Sequence, residues 1–334
     1  MAFQTGTSTS IENLLTQLST FLVANGWTED FFNTIALDVG SIGFSKNGIF
    51  VSMQYTEATD GGTMAMYQAT AADQSPTTDP WTATGDSGNG NQTNTASSFD
   101  NSRCVNAFAG SHTAYFFFEN DASPAYCHVV VEVDAGRYRH FGFGEIVKTG
   151  DWVGGEYCYG QFIDPQSTRI DLPSSAFHTV GMDNIGFNVS RNPTMRVDGY
   201  PGEPDPLTEW AVLGEVTPGN DSAGNPRWRC WGGWRNSREF SAFHGFQVSL
   251  ASAYKPLFPC PIELRDTAPA PDLAFRVGAQ ADVRMCNIAN LDPGQVINIA
   301  GDDWYFFPWT RKQFLQNNTE ESWNAGVAYR RENA

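Results

Sequence analysis

Five histidines have the greatest capacity for acid–base or metal chemistry in this chain, and each stands alone in the sequence. No H-E-x-x-H pair, G-x-S-x-G turn, P-loop or G-x-G-x-x-G ahead of a helix accompanies them. Because a nucleophile and its base meet in space rather than in sequence, a pair of His128 or His140 with Cys158 is one hypothesis. The ordinary interpretation is isolated side chains without a catalytic role. The histidines are His112, His128, His140, His178 and His244.

Acidic residues are plentiful, with 37 Asp and Glu in the chain, and glycoside cleavage requires a pair of carboxylates. Several acidic residues lie within the aromatic segment Tyr115–Gly160 and are candidates for such a pair. A surplus this large yields pairs by chance, so solvated surface and turn capping is the more ordinary interpretation. The sequence therefore predicts no enzyme, no cofactor, and no catalytic, cofactor-binding or metal-binding residue. The candidate carboxylates are Glu119, Asp121, Glu145, Asp151 and Glu156.

Six cysteines are scattered along the chain without a C-x-x-C pair. Structural zinc sites usually use close-spaced ligand pairs, so this pattern does not predict one. In a reducing compartment such cysteines are expected to be reduced and largely buried thiols. They are Cys104, Cys127, Cys158, Cys230, Cys260 and Cys286.

The net charge of −17 opposes binding to a phosphate backbone unless basic residues are segregated in a patch. One basic and aromatic cluster exists, and it could stack on single-stranded nucleic acid or, through its tryptophans, on sugars. The ordinary interpretation is arginine stems lying over tryptophan rings in a strand-rich segment, so no direct nucleic-acid binding is expected. The cluster comprises Arg227, Trp228, Arg229, Trp231, Trp234, Arg235 and Arg238.

The first residues show no basic n-region followed by an apolar h-region, so no signal peptide is predicted. The apolar runs are far shorter than the roughly 18 residues that a membrane span needs. We therefore expect a soluble protein that is made in a cytoplasm and has no membrane partner.

The element most clearly predicted is an amphipathic helix over residues 10–25, because apolar residues recur there at helical spacing. Thr9 and Glu12 match a T-x-x-E capping box at its start, and Gly26 stands where a C-terminal glycine belongs. The apolar positions are Ile11, Leu14, Leu15, Leu18 and Leu22.

Alternation with a period of two then predicts antiparallel hairpins. Ile49–Tyr55 and Met64–Ala69 form one hairpin around Asp60-Gly61-Gly62. Tyr126–Val133 and Tyr138–Glu145 form another around Asp134–Arg137. Pairing Val133 with Tyr138 would place Glu132 opposite Arg139, His140 opposite Val131 and His128 opposite Phe143. In that register His128 and His140 point to opposite faces of the sheet, and only a slip of one residue would bring them together.

The second half is also β-like. Trp210–Val216 and Arg227–Trp234 are predicted to form a hairpin with a long loop. A strand at Val283–Ala289 and a turn at Leu291–Gly294 lead to a hairpin of Gln295–Ile299 with Trp304–Phe307, and Gly326–Arg330 is a last short strand. The glycines of Phe141–Glu145 are interpreted as permitting close packing or a bend.

The fold class is therefore α+β, mainly β, with an N-terminal helix followed by antiparallel hairpins and a second, mostly β half. The chain length favours one large or two medium domains. A soft boundary near 165–190 gives a helix-plus-sheet domain over residues 1–165 and a mostly β domain over 166–334. Residues 71–103 are sparse in apolar residues and are predicted to form a long surface loop.

Three stretches together resemble an uncharacterised family of virion structural proteins of tailed bacteriophages. They are Ala24–Trp27 with Ser45–Tyr55, then Phe116–Gly160, and then Val296–Pro308 with Lys312 and Gly326–Arg330. The middle stretch is the most specific. The resemblance covers nearly the whole chain apart from the stretches near 71–103 and 165–225.

The resemblance implies a structural part of the virion, assembled in the host bacterial cytoplasm and placed in the tail or neck. An opening helix followed by hairpins is also broadly similar to tail-terminator and tail-completion proteins, which cap the tube as a ring. Expected partners are further copies of the chain and virion proteins of the tail tube, sheath, collar or baseplate. Two alternatives remain open: a capsid decoration protein, and a glycan-binding or glycan-cleaving module for host attachment.

Overall fold

The computed structural model describes residues 1–36, 39–57, 63–69, 103–106, 110–160, 194–196, 210–213, 229–232, 257–265, 274–308 and 325–332. One helix, α1, spans Ile11–Ala24. In chain order the strands are β1 Ala2–Ser8, β2 Thr28–Ala36, β3 Val39–Lys46, β4 Ile49–Thr56, β5 Thr63–Ala69, β6 Arg103–Asn106, β7 His112–Asn120, β8 Tyr126–Asp134, β9 Arg137–Glu145, β10 Val147–Lys148, β11 Glu156–Gly160, β12 Thr194–Arg196, β13 Trp210–Leu213, β14 Arg229–Gly232, β15 Phe258–Arg265, β16 Ala274–Asn287, β17 Gln295–Ile299, β18 Asp302–Pro308 and β19 Ala325–Arg331.

The strands form a 14-stranded sheet and a 5-stranded sheet. The smaller sheet is a meander in the order β2-β3-β4-β5-β6. The larger sheet runs β1-β7-β8-β9-β11-β12-β13-β14-β15-β16-β19-β18-β17, and β10 pairs with β16. Among the described residues there is one helix, near the N-terminus, and the other elements are strands, so the predicted α+β, mainly β class is confirmed.

Strands β7, β8 and β9 form a central layer that is covered on both faces. One face shares a hydrophobic core with α1 and with β3, β4 and β5. The other face packs its aromatic rings against β18 and β19, as in the contact of Phe118 with Tyr329 at 5.2 Å between ring centroids. Burial on both faces explains why β8 reads as a continuous apolar run rather than an alternating one.

The helix matches its predicted range, but its N-terminal cap differs from the expected one. Ser10 is the N-cap residue, and its side chain accepts a hydrogen bond from the Asn13 N–H at 3.0 Å. The predicted capping box of Thr9 and Glu12 is therefore wrong. The C-terminal prediction is confirmed, because Gly26 has φ +81° and the N–H groups of Gly26 and Trp27 donate to the carbonyls of Val23 and Leu22.

We expect Ser10→Ala to lower the free energy of unfolding by about 1 kcal/mol, because the Asn13 N–H would lose its acceptor. Urea unfolding followed by circular dichroism measures this change. Thr9→Ala is the matched control, since the exposed Thr9 side chain would be the cap under the capping-box pattern. A larger loss for Thr9→Ala than for Ser10→Ala would contradict the cap assigned here.

The hairpin of β8 and β9 is confirmed, but its predicted register is wrong by one residue. Glu132 pairs with Tyr138, and not with Arg139. The register is as predicted next to the turn, where Asp134 pairs with Arg137, and it shifts between Glu132 and Asp134. The extra residue of this bulge is Val133. His140 therefore lies opposite Val130, and not opposite Val131.

This shift corrects two further expectations. His128 pairs with Gly142, and not with Phe143. As a result, His128 and His140 lie on the same face of the sheet rather than on opposite faces, since residues an even number apart share a face in matched register.

The remaining predictions of strands, turns and loops are confirmed, corrected or outside the described residues. The pairings of β4 with β5 and of β17 with β18 are confirmed, as is the last strand, β19. The pairing of β13 with β14 is parallel, which corrects the predicted hairpin. The predicted loop at 71–103 lies outside the described residues except for Arg103, which is the first residue of β6 and not part of a loop. The turn Asp60–Gly62 and the boundary near 165–190 also lie outside the described residues.

Strands β1, β2 and β3 have no counterpart in the sequence-based prediction. The pairing of β2 with β3 shifts register at two places, between Glu29 and Phe31 and between Thr34 and Ala36. Two such irregularities break the period of two on which strand prediction depends. In β3, the rings of Tyr55 and Phe31 lie close to the backbone at Gly40 and Gly43, where a side chain would not fit. These glycines interrupt the alternation of apolar and polar residues by which a strand is predicted.

Candidate functional site

The titratable side chains that the structure brings together lie at the contact between the central layer and β16, β18 and β19. Strand β8 supplies His128 and strand β9 supplies His140, which share a face as a result of the bulge at Val133. Tyr329 of β19 lies between them, with ring centroids 5.6 Å from His128 and 5.8 Å from His140. We call the contact of these three residues with the carbonyls of Ala281 and Pro308 the histidine joint.

His140 uses both of its ring nitrogens in contacts with the opposing strands. Its Nε2 lies 2.9 Å from the carbonyl oxygen of Pro308, and its Nδ1 lies 2.9 Å from the hydroxyl of Tyr329. A carbonyl oxygen can only accept a hydrogen bond, so Nε2 carries the proton and the Tyr329 hydroxyl donates to Nδ1. Both contacts are therefore satisfied by the neutral imidazole.

His128 repeats this arrangement one strand away. Its Nε2 lies 3.1 Å from the carbonyl oxygen of Ala281 and donates to it, which leaves Nδ1 as an acceptor. The side-chain amide of Gln280 lies 3.5 Å from that Nδ1 and is its donor. The same tautomer is thus required at both histidines.

Burial keeps both imidazoles uncharged. His128 is 1% exposed and His140 is 2% exposed. Desolvation lowers the pKa of each histidine from 6.5 to about 4, against the smaller opposing effect of the carbonyl that each one faces. Neutral imidazoles with fully used nitrogens are suited to holding two layers together and not to transferring protons at neutral pH.

A charged network borders the histidine joint. The Tyr126 hydroxyl donates to Asp282 at 2.5 Å, and Arg330 Nη1 donates to the same carboxylate at 2.9 Å. Arg330 also forms an ion pair with Asp302 at 2.8 Å. These contacts link β8, β16, β18 and β19, so the network joins the central layer to the opposing strands beside the histidines.

The other face of the central layer carries a second buried polar group. Glu119 of β7 is fully buried, and its Oε1 accepts from the Trp27 indole at 2.9 Å and from Lys46 Nζ at 3.0 Å. Lys46 also donates to the carbonyl of Asn25 at the end of α1 and lies over the Trp27 ring. Desolvation raises the pKa of Glu119, although the contacts with Lys46 and Trp27 lower it.

The candidate carboxylates do not converge on one cleft in the described residues. Glu119 is enclosed by Trp27 and Lys46, and the nearby Asp121 is exposed. Glu145 and Glu156 are brought together as directly opposed residues of β9 and β11. Lys148 forms an ion pair with Glu145 at 2.7 Å, so this pair of acids is joined to a cation. Asp121 and Asp151 are exposed.

The hypothesis of a His–Cys nucleophile is wrong. Cys158 belongs to the core shared with α1 and the smaller sheet, and its Sγ lies 4.0 Å from the carbonyl oxygen of Met66. His128 and His140 point to the opposite face of the central layer, so the sheet separates the two kinds of group. Cys127, Cys158 and Cys286 are buried thiols, as predicted.

The remaining candidates are only partly described. His112 is buried in β7, and its Nδ1 lies 2.6 Å from the Ser8 hydroxyl. His178 and His244 lie outside the described residues, as do most of the arginines and tryptophans of the basic cluster. Of that cluster, the structure places the backbones of Arg229 and Trp231 in β14. Within the described ranges, no group of three or more His, Cys, Asp or Glu side chains is placed to hold a metal ion.

The sequence did not predict the hydrogen-bond partners of His140 and Glu119. Tyr329 stands 189 residues from His140 in the chain, and Lys46 stands 73 residues from Glu119. No local spacing marks such pairs, because they depend on how distant strands are layered. One signal was present in the sequence: aromatic and apolar residues are dense around His128 and His140, which predicts that both imidazoles are buried.

Comparisons with known proteins give no family assignment: no family model matches the chain, and no curated protein matches it. In the part of the chain that the structure describes, no helix has the length and apolar character needed to cross a membrane.

Proposed function

We propose that this protein is a structural component of the virion of a tailed bacteriophage, placed in the tail or neck and acting by oligomeric assembly without catalysis. The observation that carries the proposal is the resemblance of Phe116–Gly160 to virion structural proteins. This stretch contains most of β7 and all of β8, β9, β10 and β11, so the resemblance falls on the central layer of the fold.

The hydrogen bonds that buried polar side chains of the central layer form with neighbouring layers of the fold support the proposal. His128 and His140 bond to carbonyls of β16 and β18, and Glu119 bonds to Trp27 and Lys46. In both cases the polar side chains connect layers of the fold. Rigid connection of layers is what a part that carries mechanical load in a particle requires.

The partners that follow are further copies of the chain and neighbouring proteins of the tail tube, sheath, collar or baseplate. A ring built from one chain needs heterologous interfaces that close on themselves. The large negative charge favours partners with basic surfaces over nucleic acid. In this proposal the protein is assembled in the bacterial cytoplasm and remains in the virion.

Location in the particle tests this proposal directly. Virions of the phage that encodes the chain would be purified and analysed by mass spectrometry, and then labelled with gold-conjugated antibodies against the recombinant protein. We expect the chain to be present at a fixed copy number, with gold at the tail or neck. Gold over the head shell would replace the tail assignment with capsid decoration, and absence from washed virions would overturn the structural role.

The mass of the recombinant protein in solution provides the companion measurement. Light scattering at several concentrations, together with negative-stain microscopy, is expected to reveal a closed oligomer of fixed copy number. A protein that stays monomeric at all concentrations and forms no ring when mixed with virion proteins would contradict the ring assembly.

A further inference from the structure

We propose that the histidine joint is an acid-sensitive contact within the fold, which holds at neutral pH and opens in mild acid while α1 and the smaller sheet stay packed on the central layer. The joint would open because its two imidazoles take up protons in a buried space that is arranged for their neutral forms. This property would be built into the chain whichever assembly it joins.

The hydrogen bonds are arranged for one proton on each imidazole. A proton added to His140 would go to Nδ1, and the Tyr329 hydroxyl, which donates to that nitrogen at 2.9 Å, would have to reverse its hydrogen bond. A proton added to His128 would also go to Nδ1, which faces the side-chain amide of Gln280. Protonation therefore turns an acceptor into a donor at each histidine, and it puts two positive charges on either side of the Tyr329 ring.

In the described part of the chain, the charged groups nearest the joint already bond to one another. Asp282 of β16 faces His128, but Tyr126 and Arg330 already bond to its carboxylate. Asp302 of β18 pairs with Arg330 of β19. From β9, Arg139 adds a positive charge that acts against protonation of His140. Asp282 and Asp302 thus share one cation, Arg330, and the attraction of Asp282 for a charged His128 is smaller than the cost of burying that charge.

The direction of the pH effect follows from the lowered pKa values. Each histidine has a pKa of about 4 in the folded chain, below its ordinary value of 6.5. The unfolded or opened state therefore binds more protons between these values. The contribution of the joint is fully present above pH 6.5 and is lost as the pH falls towards 4.

The opposite face of the central layer responds to acid in the reverse sense. Burial raises the pKa of Glu119 above its ordinary value of 4.5, so the folded state takes up that proton more readily than the unfolded state. Falling pH therefore favours the folded arrangement around Glu119, Lys46 and Trp27 while it disfavours the joint. This contrast between the two faces is why we expect the joint to open first.

Hydrogen–deuterium exchange of the full chain at pH 7.5, 5.5 and 4.5, corrected for the intrinsic exchange rate, tests the proposal. Between pH 7.5 and 4.5 we expect amide protection to fall at least about tenfold in β8, β9, β16 and β19, with little change in α1 and β4. Equal losses of protection in both sets at the same pH would overturn the proposal.

A pair of variants identifies the groups responsible. In the double variant His128→Gln/His140→Gln, amides replace the imidazoles, and we expect the loss of protection to move to a lower pH by about one unit. His112→Gln is the matched control, because His112 is a buried histidine outside the joint. An equal shift in the control, or no shift in the double variant, would contradict the assignment.

A measurement on the unaltered protein keeps the proposal testable if the double variant does not fold. The imidazole signals of His128 and His140, observed by NMR in protein labelled with ¹³C-histidine, are expected to remain in the neutral form down to pH 5. Titration of either imidazole near pH 6.5 in the folded protein would overturn the proposal.

Discussion

Replacing Lys46 with methionine is expected to lower the free energy of unfolding by about 3–5 kcal/mol at pH 7, because it leaves the Glu119 carboxylate buried without its cation. Glu119 is fully buried and the Lys46 side chain is 8% exposed, so water replaces little of the lost interaction. Methionine is also unbranched and only one atom shorter than lysine, so it removes the charge with little loss of side-chain volume. Urea unfolding followed by tryptophan fluorescence gives the free energy.

The double variant Lys46→Met/Glu119→Gln separates the buried charge from the packing. Removing both charges removes the uncompensated carboxylate, so we expect the double variant to be more stable than Lys46→Met alone. If the double variant is as unstable as the single one, the loss comes from packing or from the lost contact with the Asn25 carbonyl, and the argument from the carboxylate is wrong.

The deficit of Lys46→Met should also depend on pH. Lys46 lowers the pKa of Glu119, whereas burial raises it, so removal of Lys46 raises the pKa further. A raised carboxyl pKa means that the folded state binds the proton more tightly than the unfolded state. The stability deficit is therefore expected to shrink as the pH falls from 7.5 to 5.5, and repeating the unfolding experiment at both values measures this.

The sequence predicted those elements whose side-chain pattern is set locally. The helix follows from apolar residues at helical spacing, and Ile49, Val51, Met53 and Tyr55 are all buried on one face of β4, as their alternation indicated. The cap was misplaced by one residue because Thr9 and Ser10 are both good capping residues and spacing alone does not choose between them.

The strand register and the contacts between layers were not predicted, because they depend on residues far apart in the chain. The turn at Ala135 and Gly136 correctly indicated the pairing of Asp134 with Arg137, but the bulge at Val133 moved every later pair by one residue. That single shift decides whether His128 and His140 share a face, and so whether the histidine joint exists. Tyr329, which contacts both histidines, could not be predicted as their partner, because the contact depends on the packing of β19 against the central layer.

The second large effect is expected at Gly144, where alanine should lower the free energy of unfolding by more than about 4 kcal/mol and prevent recovery of soluble protein. Gly144 has φ +142°, and a Cβ there would lie 2.4 Å from the Tyr126 Cα and 2.5 Å from the Ala125 carbonyl oxygen. Both are backbone atoms, so no side-chain rotation relieves the contact. The prediction that glycines in this stretch permit close packing is confirmed at this position.

The Ala125 carbonyl cannot move aside without a further loss, because it accepts the hydrogen bond of the Glu145 N–H at 2.8 Å. Gly136→Ala is the matched control. Gly136 also has positive φ, at +71°, but a Cβ there meets no atom within 4 Å, so only about 1 kcal/mol of backbone strain is expected. Soluble yield and thermal unfolding of the two variants measure the difference. Similar behaviour of Gly144→Ala and Gly136→Ala would mean that backbone conformation, and not the close approach of β8 to β9, requires glycine at position 144.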